Sequence, residues 1–358
     1  MSLSSNALPA SPFPIFTTVA SYREWREKAY DEKKSVGFVA TMGALHEGHL
    51  SLVRRSLAAN DLTVLSIFVN PAQFAPNEDL ATYPRSLPDD VELLSSLSLS
   101  VDLPDEKGIS ESVTRTPSAL FLPTVSEMYP SGISQDVSEQ KGTFVEVKGY
   151  GHQMEGKTRP TFFRGVATAV TKLFNVIEPT RTYFGQKDIQ QALLLRRMTR
   201  DLLLSHPSPE NLYIVPTARD TISSLALASR NAYLTPRERD YAAPALYDAL
   251  QVGERAWESG ETKAECVSHA HRVISETMAR LNGIGKERIE MQLDYIEFND
   301  PEGFDVLPDA VTLEQWESEE GRGGQERPII LSGALWVGRT RLIDNIILGD
   351  PLRIGMMI

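Results

Sequence analysis

Short apolar runs alternate with stretches of helical spacing up to Pro216, and a polar turn separates each run from the helix after it. Val36–Ala40 (VGFVA) and Thr63–Val69 (TVLSIFV) are continuous runs of the length and kind that form strands buried on both faces. Thr182–Phe184 and Tyr213–Val215 are shorter runs of the same type, the second closed by Pro216. The helical candidates are Ser21–Lys34, His49–Ala59, Asp89–Leu97 with Pro88 in its first turn, Thr168–Ile177 and Asp188–Leu204. Strand, turn and helix in this order predict an α/β fold, a Rossmann-like open parallel sheet with right-handed crossovers. Ligands of such sheets bind beyond the carboxyl ends of the strands, so chemistry is expected in the residues that follow each run.

After Pro216 the texture changes. Pro236–Ser259 and Thr262–Leu281 have the spacing of two long helices, and Met291–Glu297, Pro328–Leu335 and Thr340–Leu348 that of strands. This predicts a smaller C-terminal α+β domain, a lid over 218–358, behind a sheet domain over 1–217 that binds the substrates. Four segments stand apart. The start, to about Pro14, is rich in Ser, Pro and Ala and predicts a loose tail. Segment 101–119 begins as the end of a strand and then reads as a polar surface insertion. Thr143–Val147 is strand-like, and the acidic, Gly-rich 313–328 predicts an exposed loop.

Composition removes several function classes. Lys+Arg is 36 and Asp+Glu is 48 in 358 residues, a net charge of −12. Such a chain lacks the broad basic footprint of a nucleic-acid binder. Hydrophobic residues are 41%, enough for a real core, which argues against disorder. The one cysteine, Cys266, excludes a disulfide-stapled fold and a Cys-based zinc site. The start lacks the pattern of a signal peptide, and no stretch approaches the ~20 apolar residues that span a bilayer. A cytoplasmic enzyme or binding protein for small molecules is the expectation.

The strand ends carry the chemistry. Met42 to His49 (MGALHEGH) places His-x-Gly-His at a strand-to-helix turn. Gly48 lets a phosphate approach the backbone, the helix start favours an anion, and His46 and His49 add donors where charge builds up in transfer. Asn70-Pro71-Ala72-Gln73 offers two amides for hydroxyl and carboxylate groups, although Asn-Pro also starts ordinary turns. In Tyr83–Asp90 (YPRSLPDD), the paired Asp89 and Asp90 either hold Mg²⁺ or complement a helix start. Arg159 follows the Gly-rich 149–156 and could grip a phosphate or lie in solvent. Gly185-Gln186-Lys187-Asp188 supplies a close approach, a positive charge and a capping or ribose-binding carboxylate, with Gln191 just beyond. Ser229-Arg230-Asn231 is a second, weaker phosphate candidate.

Together TMGALHEGH, SIFVNPAQF, YPRSLPDD, FLPTVSEMYP, MEGKTRPTFFRGV, YFGQKDIQQ and ASRNAYL, spanning about Val36 to Leu234, resemble the pantothenate synthetase (pantoate–β-alanine ligase) family. The resemblance implies ATP-dependent condensation of pantoate with β-alanine through a pantoyl adenylate, with Mg²⁺, in a homodimer. It assigns ATP to Met42, Gly43, His46, Gly48, His49, Arg159, Gly185, Lys187, Asp188, Ala218, Leu227, Ala228, Ser229 and Arg230. His46, His49, Lys187 and Arg230 would act on the reacting phosphate. Gln73, Gln191, Asn70 and Tyr83 would hold pantoate and β-alanine, and Asp89 and Asp90 the metal.

Three positions depart from the family's usual pattern. Ala228 stands where the first of two serines is usual, Gln186 where Glu is usual, and Phe162 where His is common. One missing hydroxyl donor is worth about 0.5–1.5 kcal/mol, too little to abolish activity. Two other readings stay open: a different adenylyl- or cytidylyltransferase of the same superfamily, and a nucleotide-binding scaffold without catalysis. AMP release that needs both pantoate and β-alanine separates all three.

Overall fold

The structure, a computed structural model, describes residues 8–76, 80–104, 110–283, 288–318 and 326–357. The chain forms two compact units, 1–184 with 194–213 and 185–193 with 214–358. The C-terminal unit takes up the chain again at Ile214, and the short segment Gly185–Leu193 also groups with it.

The first unit carries most of a six-stranded sheet. In chain order its strands are β1 (Ile15–Phe16), β2 (Val36–Thr41), β3 (Leu62–Ile67), β6 (Ala119–Phe121), β7 (Arg181–Gly185) and β8 (Leu212–Val215), and in space they run β1-β6-β3-β2-β7-β8. The pairs β1–β6, β6–β3, β3–β2 and β2–β7 are parallel. Nearly every residue of β2 and β3 is buried, which is why these strands read as unbroken apolar runs. The helices of this part are α1 (Val19–Asp31), α2 (Glu47–Ala59), α3 (Leu87–Ser95), the single turns α4 (Val125–Met128) and α5 (Glu155–Thr158), α6 (Phe162–Ile177) and α7 (Ile189–Asp201).

In the second unit, β9 (Met291–Asn299), β10 (Ile329–Val337) and β11 (Thr340–Leu348) form an antiparallel sheet in the order β11-β10-β9. Helices α8 (Ala245–Glu258) and α9 (Lys263–Gly283) bury Leu246, Leu250, Trp257, Cys266 and Ile274 in the same core as Phe298, Leu331 and Leu335. This is the smaller α+β unit that the C-terminal pattern predicts.

Several local expectations are corrected. Segment 101–119 is not a loop: β4 (Leu99–Pro104) and β5 (Ser110–Arg115) pair antiparallel as a separate ribbon, with 105–109 outside the described residues. Its Val, Thr and Ser residues suit a strand exposed on one face, a pattern easily taken for a polar loop. Residues 143–147 form no strand; the Val145 N–H is bonded to the Thr168 hydroxyl at 2.9 Å instead. Strands β1 and β6 are too short to signal themselves. The tail is anchored where it ends, because Phe13 is buried and the Pro14 carbonyl accepts from Leu120 N–H. Helix α1 is capped by Thr18, which accepts from Ser21 N–H, so it starts before Ser21. Pro244 holds α8 off until Ala245, after a π turn at Glu238–Ala242. In 313–328, Leu313–Ser318 is a helix (α10), and 319–325 lie outside the described residues.

Candidate active site

The turn after β2 is tied down from three sides. Thr41 Oγ1 donates to Ser66 O at 2.8 Å and accepts from Gly43 N–H at 3.3 Å. Gly43 has φ +84° and Ala44 φ +49°, so the chain passes through two left-handed residues in succession. Glycine does this freely, whereas alanine there costs about 1–2 kcal/mol. Asp90 holds the strained alanine and its neighbour: its Oδ2 accepts from Ala44 N–H at 3.0 Å and its Oδ1 from Leu45 N–H at 2.7 Å. Burial pushes the Asp90 carboxyl above its ordinary range, and the backbone N–H bonds oppose that rise.

Asp90 is only 1% exposed and both its oxygens are committed to backbone, so it does not fit the expected role of a Mg²⁺ ligand. Asp89, in the same first turn of α3, is exposed. Among the described residues no group of three or more His, Cys, Asp or Glu is placed to hold a metal ion.

The turn delivers the two histidines to the start of α2. His46 is the N-cap of that helix, and its Nδ1 accepts from Gly48 N–H at 3.1 Å. A ring nitrogen that accepts carries no proton, so the His46 proton sits on Nε2. The helix start therefore does not turn every N–H toward a ligand. Its Gly48 N–H is taken by the histidine, whose own ring N–H is then at Nε2. The rings of His46 and His49 lie 4.1 Å apart between centroids.

Beyond β3 the amide pair is brought together. Asn70 is 2% exposed and uses every position of its amide. Its Oδ1 accepts from Ala72 N–H at 3.2 Å and from the Tyr129 hydroxyl at 2.7 Å. Its Nδ2 donates to Gly165 O at 3.0 Å and Gln73 Oε1 at 3.1 Å. Gln73 Nε2 lies 3.0 Å from Met42 Sδ, which links the amides to the histidine turn. Arg159 joins the same place: it donates to Gln73 O at 3.0 Å and stacks on Phe162 with 4.0 Å to the ring centroid. Phe162, where histidine is usual in the resemblance, thus holds an arginine in position. Tyr83 packs edge-on against Phe74 with centroids 5.6 Å apart. In this unit Met42, Asn70 and Arg159 meet at Gln73, and His46, Gly48 and His49 meet at the start of α2.

In the second unit, Gly185 precedes a 3-10 turn over Gln186–Asp188. Lys187 Nζ reaches Asp188 Oδ1 at 3.3 Å. Asn345 of β11, 2% exposed, fixes this turn by donating from Nδ2 to Gln186 O at 2.9 Å and Lys187 O at 3.0 Å. Gln186 accepts from Thr217 N–H at 3.2 Å, so the glutamine binds two segments of the unit together. Leu227 N–H donates to Ala218 O at 3.0 Å, which places those two candidates side by side. Ala228 opens the 3-10 turn of Ser229–Tyr233 without a side-chain cap. The Asp344 carboxylate takes both arms of Arg219, at 2.6 and 2.8 Å, and braces this region. Gln191 is half-buried in the first turn of α7.

Sequence reasoning missed Tyr129, Gly165, Asn345, and Asp90 as an anchor. Tyr129 and Gly165 do lie inside segments that carry the resemblance.

A sequence profile of the family described as pantoate-beta-alanine ligase matches residues 14–347. The chain is 39% identical over 338 residues to the pantothenate synthetase of Herpetosiphon aurantiacus, covering 93% of this chain and 99% of that one. It is 39% identical over 344 residues to the pantoate–β-alanine ligase of Saccharomyces cerevisiae, covering 93% and 99%. The crystal structure of pantothenate synthetase from Thermus thermophilus is similar with a TM-score of 0.68 at 36% identity, over 93% of this chain and 99% of that one. That of pantoate-beta-alanine ligase from Francisella tularensis, complexed with beta-gamma ATP and beta-alanine, gives a TM-score of 0.64 at 27% identity, over 93% and 97%.

Proposed function

The chain belongs to the pantoate–β-alanine ligase family, and from that premise we propose how its own residues join pantoate to β-alanine with ATP. A pantoate carboxylate oxygen attacks the α-phosphorus of ATP, the bond to the β-phosphate oxygen breaks, and pyrophosphate leaves. The β-alanine amine then attacks the acyl carbon of pantoyl adenylate, the acyl–oxygen bond breaks, and AMP leaves with the amide formed. The amine loses a proton in that step. No covalent bond to the protein is required, so its work is alignment and charge stabilisation.

His46 and His49 donate to the α-phosphate oxygens as negative charge accumulates. The observation that carries this reading is the His46 Nδ1 bond to Gly48 N–H, which fixes Nε2 as the proton-bearing nitrogen. Lys187 and Arg230 supply charge to the phosphates, and Asp188 a ribose contact. Met42, Gly43, Gly48, Gly185, Ala218, Leu227, Ala228 and Ser229 line the ATP site. Gln73 and Gln191 hold the acid, with Tyr83 and Arg159 beside it. Mg²⁺ brought with ATP would supply charge to its phosphates, since among the described residues no cluster of acids or histidines is placed to hold it. A homodimer in the cytoplasm completes the reading; among the described residues no helix is long and apolar enough to cross a membrane.

The test is product release by the purified protein with MgATP. Pantoate alone releases pyrophosphate, and AMP follows only when β-alanine is added. AMP or pyrophosphate release that ignores both acids would refute the assignment. His49→Ala folds normally and loses adenylate formation by about 10²–10³-fold, the size expected for one transition-state donor.

A further inference from the structure

The segment FLPTVSEMYP contains Tyr129, to which the resemblance gives no role. Its ring is buried, and the Lys172 ammonium lies 3.9 Å from the ring centroid. Its hydroxyl meets Asn70 Oδ1 at 2.7 Å. The amide of Asn70 has only one workable sense. Ala72 N–H can only donate, so Asn70 must meet it with oxygen. The Gly165 carbonyl can only accept, so Asn70 must meet it with nitrogen. The Tyr129 hydroxyl must then donate to Oδ1, and burial keeps its phenol protonated well beyond the ordinary range. The second N–H of Asn70 points at Gln73, which has to answer with Oε1. The amide nitrogen of Gln73, beside Met42 Sδ, keeps an N–H for a ligand.

On the acid site proposed above, we infer that Tyr129 is a positioning residue which reinforces the amide sense set by Ala72 and Gly165 and so acts through Asn70 to hold the Gln73 amide with its N–H toward the acid. Asn70 then touches no substrate; closed to solvent and fully bonded, it transmits orientation. The site selects an acid that presents a carboxylate or hydroxyl oxygen as acceptor to Gln73. A ligand that offered a donor there would face N–H with N–H and be rejected.

Two variants test this after wild-type AMP release has been measured. Absence of wild-type AMP release overturns the acid-site reading itself. In Tyr129→Phe the KM for pantoate rises about three- to ten-fold, the loss of one neutral hydrogen bond, while the KM for ATP stays within about two-fold. An unchanged KM for pantoate, or equal rises for both substrates, overturns the proposal. Gln73→Glu keeps an oxygen toward Asn70 but turns a second oxygen toward the acid. Its KM for pantoate rises more than about 100-fold near pH 8 and recovers in part toward about pH 6, as protonation returns a donor. Failure to recover, with the protein folded, overturns the proposal even if Tyr129→Phe does not fold.

Discussion

Replacing Gly165 with alanine probes how closely α6 must approach the amide turn. A Cβ on Gly165 would fall 2.2 Å from Ala72 O, 2.4 Å from Ala72 C and 2.6 Å from Gln73 N. Ordinary contact begins at 3.4 Å, so the two backbones must separate by 3.4 − 2.2 = 1.2 Å. All three atoms are main chain, so no side-chain rotation relieves them. The shift falls on the turn that carries Gln73 and stretches the Asn70 bond to Gly165 O, now 3.0 Å. Overpacking costs about 1–3 kcal/mol, and alanine's better helix propensity returns about 1 kcal/mol. The net loss of about 0–2 kcal/mol lowers the melting midpoint by no more than about 8 °C for a unit of this size. Activity responds more sharply, because a displacement of about 1 Å costs about 10²-fold. The expected result is kcat/KM for pantoate down about 100-fold, with ATP binding by calorimetry little changed. A variant with wild-type kcat/KM and an equal or higher midpoint would refute the reasoning, since the backbone would then have room that the structure denies.

Other outcomes follow from the same geometry. Asn70→Asp keeps the oxygen that accepts from Ala72 and Tyr129 but can no longer donate to Gly165 or Gln73; the KM for pantoate rises at least about ten-fold, more than that for ATP, in steady-state assays. His46→Asn preserves an N-cap oxygen for Gly48 N–H but lacks the imidazole Nε2–H; the midpoint stays near wild type while adenylate formation, followed by pyrophosphate release, falls about 10²–10³-fold. Asn345→Ala frees the Gln186 and Lys187 carbonyls, costs about 1–3 kcal/mol in denaturant melts and weakens ATP binding measured by calorimetry. Burial pushes the Cys266 thiol up to about 11, so iodoacetamide near pH 8 labels the unfolded chain but not the native one, as mass spectrometry will show.

The sheet was legible because its central strands are buried on both faces. Burial on both faces leaves no polar alternation in β2 and β3, only an apolar run between turns. Shortness hides two further strands: β1 has two residues and β6 three, too few for any period. The β4–β5 ribbon was misread for the opposite reason. It stands apart from the main sheet, so its sequence stays polar although its backbone pairs residue for residue from Leu99 with Arg115 to Pro104 with Ser110.

The candidate site divides along a similar line. His46, Gly48 and His49 signal themselves because cap, turn and donors lie within a few consecutive residues. Their positioning groups do not, because the contacts span the chain. Asp90 reaches back to Ala44 and Leu45, Tyr129 to Asn70, and Asn345 to the Gln186–Lys187 turn. The Asp89–Asp90 pair shows how a local pattern misleads. Adjacent acids at a helix start look alike in sequence, yet one is exposed and the other is consumed by two backbone N–H groups. That buried carboxylate stabilises a left-handed alanine, and the alanine sets where the histidine helix begins. Asp90→Asn should therefore disturb catalysis through the turn rather than through metal affinity. One amide N–H would face a backbone N–H, and kcat would fall without any rescue by excess Mg²⁺. Restoration of full kcat by raised Mg²⁺ would instead return Asp90 to the role of ligand.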